Sequence, residues 1–171
     1  MTGTRRPALA ALALAGAAGI SVAAPPAHAE GGQEPGSAGT AECSIFEIKA
    51  TSEEGGVDPA LRPLAKKLKK PPFSSWKSFK LLKKHDKTVE KMKALNLGLV
   101  TGSKLALLFR GASGGQASKV RLRLTFTLDD KTGKRWLDGT INIDSGDYSL
   151  IGGDSIEGGG TYILAVTCKV P

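Results

Sequence analysis

Histidine, aromatic side chains and long apolar runs are scarce in this 171-residue chain, and each scarcity removes a class of function. The only two histidines are His28 and His85. A lone histidine cannot build a zinc site without thiolate or carboxylate partners at suitable spacing, and no C-x-x-C pair is present. Gly111-Ala112-Ser113-Gly114-Gly115 matches G-x-S-x-G. That hydrolase elbow needs a strand before it, a helix after it and a later histidine. Here a strand-like stretch follows and no histidine comes after His85. The motif reads as a glycine-rich hairpin loop, and His85, within Lys83-Lys84-His85-Asp86-Lys87, as a solvated loop histidine. Aromatics are 5% of the chain, too few to favour a sugar-stacking cleft around a carboxylate pair. Asp138, Asp144, Asp147, Asp154 and Glu157 gather late in the chain, but the EF-hand pattern is not met. Turn chemistry explains Asp144-Ser145-Gly146-Asp147 more simply. No cofactor, metal or catalytic residue is expected.

One apolar run exists, and it stands at the front. Arg5 and Arg6 precede Ala8 to Ala24, and Ala27-His28-Ala29 follows. A charged start, an apolar stretch and an A-x-A site form the pattern of a secretory signal peptide. The expectation is a signal peptide over 1–29, cleaved after Ala29, and a periplasmic or secreted product. Thr4-Arg5-Arg6 faintly resembles a twin-arginine signal, but Ala8 and Ala10 stand where its phenylalanine and lysine would be. The run is too short and alanine-rich to span a bilayer, and no second one follows, so no membrane span is expected. Residues 30–40, EGGQEPGSAGT, read as a flexible leader. Residues 41–171 read as a single β-rich domain.

Cys43 and Cys168 lie near the two ends of that domain. In an oxidising compartment an even cysteine count reads as a bridge. The alternative is a pair of buried free thiols.

The chain between them is mostly strand-like. Cys43 to Ala50 alternates and predicts a first strand with at least one buried face. Asp58-Pro59 looks like a helix cap with proline at the first turn. Leu61, Leu64, Ala65 and Leu68 then form one apolar stripe, with Pro63 in mild conflict and Pro71-Pro72 as the stop. Ser78 to Lys84 reads as a strand. The charged stretch Lys83 to Lys93 is open between a loop, a hairpin and a helical turn. Leu95 to Leu99, Leu105 to Phe109, Val120 to Leu128, Trp136 to Ile143, Tyr148 to Ile151 and Tyr162 to Cys168 predict further strands, with turns between them. Together these predict a mainly β fold, an antiparallel β-sandwich or open barrel with one short N-terminal helix.

Charge is segregated. The formal net charge is +8, and twelve Lys/Arg fall between Arg62 and Lys93 against only Asp86 and Glu90. Lys66, Lys67, Lys69, Lys70, Lys77, Lys80, Lys83 and Lys84 are therefore candidate anion contacts. Phe73, Trp76 and Phe79 interleave with them and are candidate partner contacts. Interleaving of this kind occurs in single-strand nucleic-acid binders. Lysine dominates, however, and Arg62 is the stretch's one arginine, whereas phosphate and base readers lean on arginine forks. No nucleic-acid partner is expected. The competing reading is a solvated lysine face over buried aromatics.

The segment Pro72-Phe73-Ser74-Ser75-Trp76-Lys77-Ser78-Phe79-Lys80-Leu81-Leu82 resembles a group of secreted bacterial β-rich proteins of unknown function. Asp58-Pro59 ahead of it, Leu150-Ile151-Gly152-Gly153 and the last strand from Gly160 to Val166 extend the likeness over roughly Val57 to Lys169. The resemblance implies an exported β domain. It carries no activity, cofactor or site, and the cysteine pair is not part of its pattern. The function expected from the sequence is thus an exported, non-catalytic β-sandwich module, an interaction or assembly accessory with a protein partner of the cell envelope. The alternative is a binder of an anionic envelope polymer or lipid through the Arg62–Lys93 face.

Overall fold

The computed structural model describes residues 39–114, 119–156 and 158–171. Residues 1–29, expected as a signal peptide, most of the expected leader, residues 115–118 and Glu157 lie outside the described residues. Among the described residues nine strands form two sheets. β1 (Thr40–Thr51), β2 (Gly56–Val57), β3 (Ser78–Glu90), β9 (Thr161–Lys169) and β8 (Tyr148–Ser155) make the first, in the order β2-β3-β1-β9-β8. β4 (Ala94–Gly98), β5 (Lys104–Ser113), β6 (Arg121–Asp129) and β7 (Arg135–Asp144) make the second, in sequence order. Every strand pairing is antiparallel except the two-residue contact of β2 with β3, and an isolated parallel bridge joins Lys91 to Phe109. The mainly β class and the sandwich follow as expected.

β1 is the axis of the first sheet. It pairs with β3 along its whole length and with β9 from Glu42 to Ala50. Both of its faces are covered, which is why its sequence is apolar at odd and even positions alike. Ala41, Cys43 and Ile45 join Leu105, Leu107, Phe109, Leu122, Leu124, Phe126, Leu164 and Val166 in the core between the sheets. Phe46, Ile48 and Ala50 face the other way, onto Leu61, Leu64, Leu68, Phe73 and Phe79. The early helical segment therefore covers the back of the first sheet.

That segment is tighter than the predicted helix. Pro59–Leu64 is a 3-10 turn with Pro63 inside it, followed by a single α-turn, α1 (Ala65–Leu68). Pro63 cannot donate an amide hydrogen bond, so a continuous α-helix does not form across it. The cap works as read: an Asp58 carboxylate oxygen accepts from the Ala60 N–H at 2.9 Å. Its second oxygen accepts from the Leu81 N–H at 3.3 Å, tying the segment to β3.

β3 corrects the reading of Lys83 to Lys93. The strand runs unbroken to Glu90, and every β1 residue from Thr40 to Thr51 has a partner on it. Its charged side chains are exposed, and Val89 is the one buried apolar residue beyond Phe79. Pairing along β1 imposes the extended conformation that the side-chain pattern does not announce. A bulge between Glu47 and Ile48 leaves Leu82 without a partner.

Cys43 and Cys168 are directly opposed across β1 and β9 and form a disulfide. The bridge spans 125 residues of sequence, so it joins both margins of the domain. Both crossings between the sheets lie at this end. Met92 N donates to Phe109 O at 2.8 Å after β3, and Gly146 N to Cys168 O at 2.9 Å before β8. Reducing the bridge is expected to lower the unfolding free energy by about 2–5 kcal/mol, through the restored freedom of the unfolded chain. Urea midpoints with and without reductant measure it, and coincident midpoints would refute the bridge's role.

Candidate functional site

The basic stretch divides between two surfaces. Lys66, Lys69, Lys70 and Lys77 are exposed on the helical segment, and Lys80, Lys83 and Lys84 are exposed on β3. Lys67 is half-buried between Asp147, at 2.7 Å, and the Tyr148 carbonyl, to which it donates. The Lys67 ammonium holds the Asp147 carboxyl below its ordinary value. Lys77 pairs with Glu54 at 2.6 Å. Lys84 pairs with Asp86 at 3.0 Å and lies 5.5 Å from the centre of the Phe46 ring. Asp86 accepts from Ser44 as well, and these two bonds, Ser44's foremost, lower its pKa. Lys66, Lys69, Lys70, Lys80 and Lys83 have no carboxylate partner among the described residues.

Beyond Phe79 no strand flanks β3 on its outer side. Past the Leu81 N–H, which Asp58 takes, this edge is open among the described residues from Leu82 to Glu90, and Lys83, Lys84 and Lys87 line it with Lys80 at its start. The aromatic candidates sit elsewhere. Phe73 and Phe79 are buried in the core behind the first sheet, 9% and 3% exposed, and only Trp76 is half-exposed, tilted against Phe73 at 6.2 Å between ring centres. Two of the three proposed partner contacts are thus core residues.

Composition gives no hint of the molecule's main buried polar group. Glu47, on β1, is fully buried on the face toward the second sheet. One carboxylate oxygen lies 2.8 Å from Nε2 of His85 on β3. The other accepts from the Tyr162 hydroxyl of β9 at 2.8 Å and from the Val100 N–H of the β4–β5 turn at 2.7 Å. His85 corrects its earlier reading: its side chain is 10% exposed and engaged, not a solvated loop residue. The strand alternation places it on the inward face beside Ile45, its partner on β1. Burial and the Glu47 carboxylate both raise the Tyr162 pKa far above the ordinary phenol value. The phenol stays protonated and donates.

Tyr162 also lines a cleft of about 530 Å³ at the end of the sandwich away from the disulfide. The β4–β5 turn, the β6–β7 turn and the end of β8 surround it. Its walls carry Leu82, Val100 and Trp136, which are three of the four large apolar side chains left exposed among the described residues.

The late carboxylates that are described, Asp138, Asp144 and Asp147, do not converge. Asp144 lies 3.3 Å from Arg121, Asp138 lies 3.5 Å from Arg135, and Asp147 is held by Lys67. The side chain of Asp154 and all of Glu157 are outside the described residues. Among the described residues no group of three or more His, Cys, Asp or Glu is placed to hold a metal ion. None of the described helices is long and apolar enough to cross a membrane. Of the G-x-S-x-G match, Gly111, Ala112 and Ser113 belong to β5.

Comparison with protein-family models, with curated proteins and with solved structures gave no match to this chain.

Tyr162→Phe tests the buried network. A hydrogen bond to a charged acceptor contributes about 1.5–3 kcal/mol, and the variant should lose that much at neutral pH. A folded-state pKa above the unfolded value gives stability that is complete below the unfolded value, near 10.0, and is lost as pH rises beyond it. The parent protein should therefore lose about 1.4 kcal/mol per pH unit more than the variant on the alkaline side. Urea unfolding at neutral pH and above pH 10 reads both effects, and parallel pH profiles would contradict the assignment.

Proposed function

We propose that this chain is an exported, non-catalytic β-sandwich module that binds an acidic, extended segment of a cell-envelope protein along the outer edge of β3. The observation that carries the reading is that open edge. An unpaired strand edge is a template for another strand, and its backbone groups supply the affinity in strand addition. Lysines along it repel the same edge of a second copy and attract an acidic strand. Export rests on the signal pattern over residues 1–29 and on the Cys43–Cys168 bridge, since disulfides persist in oxidising compartments. The non-catalytic reading draws on His85, whose one hydrogen-bonding partner among the described residues is Glu47; no hydroxyl or thiol nucleophile is bonded to it.

A second reading has its own support. Lys66, Lys69 and Lys70 are exposed beyond the edge and without carboxylate partners among the described residues, so a polyanion could engage the wider basic face. The two readings separate in one titration. A β-prone peptide of alternating glutamate and valine should bind, and the same composition with a central proline should bind about tenfold more weakly, a 1.4 kcal/mol loss. Charge reversal at Lys80 and Lys83 should abolish binding. Equal binding of both peptides, with heparin retention that falls as salt rises, would favour the polyanion. Absence of binding to peptide and heparin alike would overturn both.

Export has a separate check. Protein recovered from the envelope or medium should begin at Glu30 by intact mass, and an uncleaved leader on cytosolic protein would refute it.

A further inference from the structure

The cleft above Tyr162 is a different surface from the β3 edge, and its chemistry is opposite. Leu82, Val100 and Trp136 are 40%, 49% and 39% exposed, and they come from three separate elements. Scattered single apolar residues on a surface need no explanation, but converging ones do. Leu99, Ile156 and Tyr162 complete the apolar lining. The volume, about 530 Å³, is that of a small-molecule site, in the usual range of about 300–1,000 Å³.

At Tyr162 and the Val100 backbone the cleft offers a hydrogen-bond acceptor and no free donor. Tyr162 has one hydroxyl proton, and it is given to Glu47. The N–H of Val100 is likewise given to Glu47. Neither group has a proton left for a ligand. What remains at Tyr162 is the acceptor capacity of its oxygen, which the Glu47 bond leaves open. The Asp130 carboxylate in the wall is turned on its own loop, accepting from the Thr132 and Lys134 N–H groups at 2.8 and 2.9 Å. Those bonds, with the Thr132 hydroxyl's foremost, keep it ionised by lowering its pKa. An anionic ligand would meet a carboxylate there and find no spare donor on Tyr162 or the Val100 backbone. Lys131 is the one cation of the lining.

We infer that this cleft is a binding site for an uncharged, largely apolar small molecule bearing an N–H or O–H donor, with its apolar body against Trp136, Val100 and Leu82 and its donor on the Tyr162 oxygen. N-phenyl-1-naphthylamine has this chemistry and fluoresces on transfer from water. 8-Anilino-1-naphthalenesulfonate has the same skeleton with an added anion, and 1-phenoxynaphthalene has nearly the same shape without the donor. The disulfide-bonded protein should bind the amine saturably. The sulfonate and the phenoxy analogue, the latter read by competition, should each bind about tenfold more weakly. Val100→Ser combined with Trp136→Ser removes two half-exposed wall side chains and should weaken the amine at least as much, read at a urea concentration of zero where the variant's unfolding transition shows it folded. Lack of saturable amine binding, equal affinity for the sulfonate or the phenoxy analogue, or an unaffected wall variant would each overturn the assignment. None of these outcomes bears on peptide binding at β3.

Discussion

The buried carboxylate of Glu47 is the constraint around which this sandwich is arranged. A charge or a strong polar group removed from water must be given hydrogen bonds, and the demand rises as the surroundings become less polar. Glu47 collects its partners from three elements other than its own: His85 on β3, Tyr162 on β9 and the backbone of Val100 in the β4–β5 turn. Two of those partners lie in the same sheet as Glu47 and the third comes from the loop joining two strands of the other. The carboxylate thus ties β3 and β9 to β1 through their side chains and holds a corner of the second sheet over the first. Apolar packing can slide by small amounts at little cost, whereas a buried acceptor with an unmet bond cannot. This is the interaction that specifies how the far end of the sandwich closes.

The two ends are held by different means. At one end the Cys43–Cys168 bridge and both crossings between sheets lie close together. Tyr162 and Cys168 are six residues apart on β9, about 20 Å along an extended strand. The end near Tyr162 has no covalent tie and is closed by Glu47 and by loop geometry. Gly160 shows how tight that geometry is. Its φ is +103°, and a Cβ there would lie 2.6 Å from the Ala50 carbonyl oxygen. Only glycine lets the chain entering β9 pass so close to β1.

Much of this arrangement was legible in the sequence, and the exceptions have physical causes. Alternation marked β1, β4, β5, β6 and β9 because each has at least one face that must be apolar. β3 hid its last half because an edge strand with solvent-facing lysines shows no such alternation, and its conformation is imposed by β1 and not by its own side chains. The helical stripe Leu61, Leu64 and Leu68 was correct as a buried face, and Pro63 explains why it winds as a 3-10 turn. Phe73 and Phe79 look like surface aromatics in a lysine-rich stretch, yet the helical segment folds them under itself. Glu47 and His85 were the least legible. His85 sits among charged neighbours in sequence and Glu47 between Phe46 and Ile48, and only the register of β1 against β3 and β9 turns both inward. Position 47 shares a side of β1 with Cys43 and Ile45, so the signal was present in the alternation as a polar residue on an apolar face.

The location of the exposed apolar residues follows from the same network. The Val100 N–H is committed to Glu47, so the β4–β5 turn is drawn down onto the first sheet and its side chain is left at the rim. The bulge opposite Glu47 leaves Leu82 without a cross-strand partner and exposed beside that turn. Trp136, near the start of β7, closes the third side. A sandwich that needed only stability would cover such residues or replace them with polar ones, since Leu82, Val100 and Trp136 belong to neither buried core cluster. Packing within the domain therefore does not account for three large apolar side chains meeting around a tyrosine whose only proton is already committed. A ligand that covers the three and donates to the tyrosine does.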